Sequence, residues 1–318
     1  MQSVRGLWLG YRLRQIREDL GLTLKEAAGY LDFDFSTFAR YERCELPFRP
    51  EYVLALLNLY GVHDEYTRTE LLQLAQDTGR LNLWRVDATA APSSIDTAVP
   101  QPATSSLGAA GHTNAPVRLL QWLYGQATNI AVYSPNIIPD LLQTRAYETA
   151  VAGHIESPNH GHRHEYRRRR EALARVPVTG RLPGPSITAV IDGHVLHRPI
   201  GGRKILAEQV EHLHQLAAEQ NRIAIRILPT DRDFCCASNG GFTVLHLHTG
   251  FPPIALVDHL GGQMVLEGPW AGRYVTEFDR LCDIALMPAA SRIQLAELTK
   301  DLTNQPDHHP EPAELVHD

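Results

Sequence analysis

The chain has 318 residues, of which 43% are hydrophobic and 21% are charged, and its formal net charge is −6. At roughly 150 residues per domain this length predicts two globular domains, and the acidic balance argues against a broadly basic nucleic-acid coat. Because no apolar run reaches the ~18 residues of a membrane span and the N-terminus lacks the apolar core of a signal peptide, we expect a cytoplasmic protein.

Apolar periodicity predicts that the first eighty or so residues form five helices. One face of the first helix carries regularly spaced apolar residues, namely Leu9, Leu13, Ile16 and Leu20. Gly21 then supplies a stop, and Thr23 can cap a second helix with Glu26 as its capping-box partner. Ala27 and Ala28 are small, which suits a close crossing of two helices.

A break at residues 32–34 separates the second helix from a third, which we expect to run from Phe35 to Arg43. Phe38 and Tyr41 lie three residues apart on its predicted buried face. Two further helices follow, with Val53, Leu56, Leu57 and Tyr60 inward in the fourth and a span from about Asp64 to Thr78 in the fifth. Short helices joined by such a break fit a helix-turn-helix module.

The third helix has the features of a helix that enters the major groove of DNA. Its start carries the short side chains of Ser36 and Thr37, and Arg40 follows on the same surface as a guanidinium for a guanine edge or a phosphate. We therefore predict six residues that contact bases or the DNA backbone, namely Thr23, Lys25, Ser36, Thr37, Arg40 and Arg43.

Local pairing is the alternative for several of these side chains. Either Asp34 or Ser36 could cap the third helix. Arg43 could pair on the surface with Glu42 or Glu45 instead of reaching the DNA backbone.

The N-terminal region has little excess positive charge. Residues 1–50 carry eight Lys and Arg against seven Asp and Glu, which is a net of +1. Because phosphate neutralisation supplies most non-specific affinity, one such domain should bind DNA weakly. We therefore expect a homodimer, joined through the C-terminal domain, that reads two half-sites about 34 Å apart on double-stranded DNA.

The composition changes sharply in the middle of the chain. Residues 87–116 contain no Lys, Arg or aromatic residue and are rich in Ala, Ser, Thr and Pro, which predicts a flexible linker, with an ordered excursion as the alternative. The predicted parts are thus an all-α helix-turn-helix domain at 1–86, the linker, a larger domain at 117–303 and a disordered tail at 304–318.

Strand and helix patterns alternate irregularly beyond the linker, which predicts an α+β domain. The strand candidates are 187–192, 223–228, 242–248, 254–258 and 264–267, and the helix candidates are 117–127, 140–152, 163–175, 203–220, 271–286 and 289–303. Three roles stay open for this domain: binding a small-molecule effector, binding a small partner protein, or dimerisation alone. An effector pocket could be lined by Trp122, Tyr133, Tyr147, His194, Arg198 and Trp270.

Signatures of enzymes and metal sites are missing. There is no GxSxG elbow, HExxH pair, P-loop or GxGxxG fingerprint, so we expect no catalytic residues, cofactor or metal. Clusters that could suggest otherwise are interpreted as structural or surface residues, namely His160, His162 and His164, the basic run Arg167 to Arg170, Cys235 and Cys236 with His246 and His248, and Asp192 with His194 and His197. Cys44 and Cys282 are expected to be free thiols, like the vicinal cysteine pair.

The segment LTLKEAAGYLDFDFSTFARYERCELPFRPEYVLALLNLYGV resembles the Xre-type (Cro/CI-like) helix-turn-helix. The matching positions are Thr23, Ala27, Ser36, Arg40, Glu42 and Arg43. Asp32 and Cys44 stand where that family usually has glycine, so the turn after the third helix can differ from the family's turn.

Beyond the linker, SPNIIPDLLQTRAYETAVAG, EYRRRREALAR, AVIDGHVLHRPIGG, IRILP, GGFTVLHL and FDRL occur in that order. This string resembles the Scr-type antitoxin-like transcriptional regulators of actinomycetes, although Gly193 replaces an acidic residue common in them. The resemblance implies a dimeric regulator with a small toxin-like or antagonist protein as a candidate partner. The alternatives are an antitoxin-like protein that neutralises such a partner and autoregulates its operon, and an enzyme with a DNA-targeting head.

Overall fold

The computed structural model describes residues 3–79, 117–154, 184–219, 222–230, 240–247, 251–259 and 262–304. The chain divides into two compact units, residues 1–106 and 107–318. The predicted linker at 87–116, the predicted helix at 163–175 and residues 305–318 of the predicted tail lie outside the described residues.

The described part of the first unit is all-helical, as predicted. Its helices are α1 (Val4–Asp19), α2 (Leu24–Tyr30), α3 (Phe35–Glu42), α4 (Pro50–Leu59) and α5 (Glu65–Gly79). They enclose a core that consists of Leu9, Leu13, Ala27, Ala28, Phe38, Phe48, Val53, Leu56, Leu57, Tyr60, Leu71 and Ala75. Each large apolar side chain buried in this way contributes about 2 kcal/mol to folding, and this burial holds five short helices in one module.

Two residues predicted to face this core are more exposed than the periodicity suggests. Leu20 follows the last turn of α1 and is 52% exposed, because the chain leaves the helix there through Gly21 with φ of +71°. Tyr41 is half-buried and lies in an aromatic cluster with Phe33 and Phe48, at ring-centroid distances of 5.4 and 5.1 Å.

The turns after α2 and α3 use the left-handed backbone conformation without glycine. Asp32 and Cys44 both have φ of +56°. Cys44 was expected to permit a different turn, but its backbone keeps the conformation that a glycine would favour. An L-residue in this region costs roughly 1–2 kcal/mol, and aspartate tolerates it better than most residues.

The second unit begins with α6 (Val117–Gln126) and β1 (Ala127–Ser134). After a 3-10 turn at Asp140–Leu142 come α7 (Arg145–His154), β2 (Ser186–Asp192), a second 3-10 turn at Gly193–His197, and α8 (Arg203–Glu219). The remaining elements are β3 (Ile223–Leu228), β4 (Phe242–Leu247), β5 (Ile254–His259), β6 (Gly262–Leu266), α9 (Gly268–Ile284) and α10 (Pro288–Asn304).

The six strands within the described ranges form one mixed sheet in the order β3-β2-β1-β4-β5-β6, which confirms the α+β class. The strands β1, β2 and β3 are parallel, whereas β4, β5 and β6 continue the sheet in antiparallel steps. The helix α9 packs on the sheet through Phe278 and Leu281, and Ala285, which follows the helix, joins the same apolar cluster. No helix in the described ranges is long and apolar enough to cross a bilayer.

The central strand β1 is absent from the strands predicted above. Its sequence ATNIAVYS is buried from Ile130 to Ser134, so it lacks the apolar-polar alternation of a half-exposed strand. Ile130 pairs with Ile187 on one side and Leu245 on the other, which places β1 between the parallel and antiparallel halves of the sheet.

The backbone at Cys44 yields a stability prediction. We expect Cys44→Gly to be more stable than Cys44→Ala by about 1 kcal/mol, because both variants lose the thiol but only alanine retains the left-handed strain. Calorimetric melting of the two full-length variants measures the difference. Equal stability, or a more stable alanine variant, would contradict the left-handed turn.

Candidate nucleic-acid interface

A buried ion pair fixes the end of α3 to α1. Arg17 Nε donates to Glu42 Oε1 at 2.7 Å, and Arg17 Nη2 donates to Glu42 Oε2 at 2.9 Å. The two side chains are only 6% and 5% exposed, and Arg17 Nη1 also donates to the carbonyl oxygen of Leu22 at 2.8 Å. The bond to Glu42 raises the pKa of Arg17. One guanidinium therefore ties together α1, the approach to α2 and the last residue of α3.

Backbone contact at the same junction depends on Gly10. A Cβ at this position of α1 would clash with the carbonyl oxygen of Glu42. Only glycine lets the two helices approach this closely. No local sequence pattern indicates the Arg17–Glu42 pair, because the partners are 25 residues apart. The same holds for the contact between Gly10 and the backbone of Glu42.

The start of α2 has the predicted capping box. Glu26 N donates to Thr23 Oγ1 at 3.2 Å, while Glu26 Oε2 accepts from Thr23 N and Thr23 Oγ1, both at 2.7 Å. Thr23 is exposed, but its hydroxyl hydrogen is donated to Glu26 rather than directed outward. Lys25 on the first turn of α2 is exposed.

Asp34, rather than Ser36, is the N-terminal cap of α3. Its carboxylate accepts from Ser36 Oγ at 2.6 Å, Thr37 Oγ1 at 2.7 Å and Thr37 N at 2.9 Å. The hydrogen bond from Ser36, followed by those from Thr37, holds the pKa of Asp34 well below its usual range. Ser36 is exposed and Thr37 half-buried, so the predicted leading edge of α3 faces outward with both hydroxyl hydrogens already donated.

The two arginines predicted to contact DNA share one carboxylate. Glu45 Oε1 lies 2.6 Å from Arg43 Nε, and Glu45 Oε2 lies 3.3 Å from Arg40 Nε. Both guanidiniums stay about half exposed, and the hydrogen bond from Arg43 is the largest cause that lowers the pKa of Glu45. The surface pairing of Arg43 considered above thus involves Glu45, because Arg17 occupies Glu42.

The second unit contains a small cavity of about 50 Å³ beside the end of β1. Its lining includes Tyr133, Asp140 and Asp258. Of the six residues predicted for an effector pocket, only Tyr133 lines this cavity. Among the other five, Tyr147 is fully buried and accepts a weak hydrogen bond from Ile138 N at 3.5 Å.

The remaining predicted pocket residues have other surroundings. Arg198 donates to the carbonyl oxygen of Asn136 at 2.9 Å, and His194 is exposed with its Nδ1 at 2.7 Å from Asp192. Trp122 and Trp270 are half-buried, and the guanidinium carbon of Arg273 lies 4.6 Å from the centroid of the Trp270 ring. Trp122 does not line the cavity. The six residues therefore do not converge on it.

Several clusters named from the sequence lie outside the described residues. These are the histidines at 160, 162 and 164, the basic run at 167–170, Cys235, Cys236 and His248. Within the described ranges, no group of three or more His, Cys, Asp or Glu side chains is placed to hold a metal ion.

Comparison with known families assigns both units. Residues 8–71, which span α1 to the first half of α5, match a family described as a helix-turn-helix domain. Residues 117–297 match a family described as a domain of unknown function, DUF5753. No curated protein and no solved structure matches the chain.

The buried ion pair yields a test of what holds α3. We expect Glu42→Gln to destabilise the helical unit by about 3 kcal/mol, because the buried Arg17 guanidinium loses the carboxylate at 2.7 Å and keeps only the half-exposed Glu18 at 3.5 Å. Hydrogen exchange of the α1 and α3 amides in the full chain measures the loss.

The matched control for this variant replaces both partners. The double variant Arg17→Met with Glu42→Leu should recover most of the stability, because an apolar pair of similar volume carries no desolvation penalty. If Glu42→Gln exchanges like the unmodified protein, the pair does not hold the helix.

Proposed function

Because the chain belongs to the DUF5753 family and carries a helix-turn-helix domain ahead of the matched region, we propose that it is a sequence-specific transcriptional regulator that acts by binding DNA rather than by catalysis. The observation that carries this proposal is the exposure of α3. Ser36 and Arg40 lie on its outer surface, while Phe38 and Glu42 anchor its inner surface. A helix held rigidly in this way can present the same side chains to every operator.

Charge supports a dimeric form of this regulator. The first fifty residues have a net charge of only +1, and Glu45 partly neutralises Arg40 and Arg43. A single domain therefore contributes little phosphate attraction, and two copies on one duplex double the contacts. In this proposal the C-terminal domain joins the copies.

In this proposal the C-terminal domain makes protein contacts, and binding of a small-molecule effector is the alternative. Small-molecule sites usually have volumes of roughly 300 Å³ or more, and the cavity beside β1 measures about 50 Å³. The order of sequence motifs beyond the linker supports a small toxin-like protein as a further partner, as in the Scr-type regulators. On that reading the chain also autoregulates its own operon.

Genome-wide footprinting of the full chain tests the proposal. We expect footprints with two-fold symmetry and half-sites about one helical turn apart. Arg40→Ala should weaken binding at these sites about 10- to 100-fold, because a guanidinium contact to a base is worth about 1–3 kcal/mol.

The control for that variant is Arg14→Ala, which removes an equally exposed arginine that pairs with Glu18 on α1. It should leave the footprints nearly unchanged. Scattered, sequence-independent binding by the unmodified chain, or equal effects of the two variants, would contradict the assignment.

The shared carboxylate yields a second prediction. We expect Glu45→Gln to raise DNA affinity about fivefold, because the exposed carboxylate no longer competes with DNA for Arg40 and Arg43. The slope of log affinity against log salt should steepen by about 1. Fluorescence anisotropy with the footprinted duplex over a salt series measures both.

Glu18→Gln makes the same charge change on α1, at a carboxylate that pairs with Arg14 and lies 3.5 Å from Arg17, and is the control. A loss of affinity in Glu45→Gln would instead mean that this carboxylate positions the arginines for DNA.

A further inference from the structure

Phe35 is the first residue of α3 and is 63% exposed, while the next phenylalanine along the helix, Phe38, is fully buried. An exposed apolar residue needs no explanation by itself. The position of Phe35 is the informative part, because the N-terminal residues of a recognition helix are those that contact base edges. It lies in the first turn of α3 together with Ser36 and Thr37.

The polar side chains around Phe35 present mostly hydrogen-bond acceptors. Ser36 and Thr37 each have one hydroxyl hydrogen, and both are donated to the Asp34 carboxylate, at 2.6 and 2.7 Å. The side chains left facing outward at this edge are therefore an apolar ring, a carboxylate and two hydroxyl oxygens with free lone pairs. The guanidinium donors of Arg40 lie more than one helical turn further along α3.

This combination favours some base edges over others. Guanine presents two acceptors in the major groove, N7 and O6, which would face the acceptors at the start of α3. Thymine presents a 5-methyl group, which is the apolar feature of the groove. A ring at this edge gains free energy by covering that methyl group and gains nothing from a guanine.

We propose that Phe35 is a specificity-determining residue that packs against the 5-methyl group of a thymine in each half-site. The inference rests on the proposed function, since it requires α3 to enter the major groove. Beyond that function, the inference names the base that the start of α3 selects and the chemical group by which that base is recognised.

The test begins with selection of operators from randomised duplexes by the full chain. Each thymine of the selected operator is then replaced, one at a time, by 2′-deoxyuridine, which lacks only the 5-methyl group. We expect one thymine per half-site at which this change weakens binding about fourfold, the factor for one buried methyl-sized group.

The variant Phe35→Ala should bind the thymine operator more weakly and should no longer distinguish thymine from deoxyuridine at that position. Phe35→Leu should keep part of the discrimination. Tyr66→Ala removes another exposed aromatic ring, on α5, and should keep all of it. Circular dichroism of each variant checks folding. If Phe35→Ala does not fold, the partial loss of discrimination in Phe35→Leu is measured in its place.

The outcomes separate the two claims. If no thymine is sensitive to loss of its methyl group, or if Phe35→Ala retains the fourfold discrimination, this inference is overturned while the regulator assignment stands. If the full chain selects no sequence, both are overturned.

Discussion

The ion pair between Arg17 and Glu42 determines where the recognition helix lies, because it joins α1 to the last residue of α3 through two short hydrogen bonds. A buried pair of this kind contributes little net stability, since desolvation of both charges offsets their attraction. Its main effect is geometric: a shift of α3 would break both short hydrogen bonds and leave the buried Glu42 carboxylate without Arg17. Gly10 acts in the same place by allowing the α1 backbone to lie against the Glu42 carbonyl group.

Carboxylates also determine the chemistry of the outer surface of α3. Asp34 takes the hydroxyl hydrogens of Ser36 and Thr37, and Glu45 engages Arg40 and Arg43. Both acidic groups reduce attraction to phosphate, which is the part of DNA affinity that does not depend on sequence. A DNA-binding surface of this kind depends more on base contacts and less on charge.

The second unit combines parallel and antiparallel pairing around β1, with Phe278 and Leu281 of α9 packed on the sheet. Gly193 follows β2 at a close contact, since a Cβ there would lie 2.9 Å from the carbonyl oxygen of Leu228. The acidic residue that the Scr-type regulators commonly have at this position would therefore not fit this backbone without movement. This departure from the resemblance has a steric reason in the chain itself.

Local features of the N-terminal unit were predictable from the sequence, because helix periodicity, the Thr23–Glu26 box and the Gly21 stop act within a few residues. The strand β1 was not predictable in this way, because a strand that is buried on both faces shows no alternation of apolar and polar residues. It also follows α6 directly in the chain. The partners of Arg17 and Arg40 were also decided only by tertiary structure and turn geometry. Several carboxylates were available to each guanidinium in the sequence, and only folding brings the distant Glu42 to within 2.7 Å of Arg17.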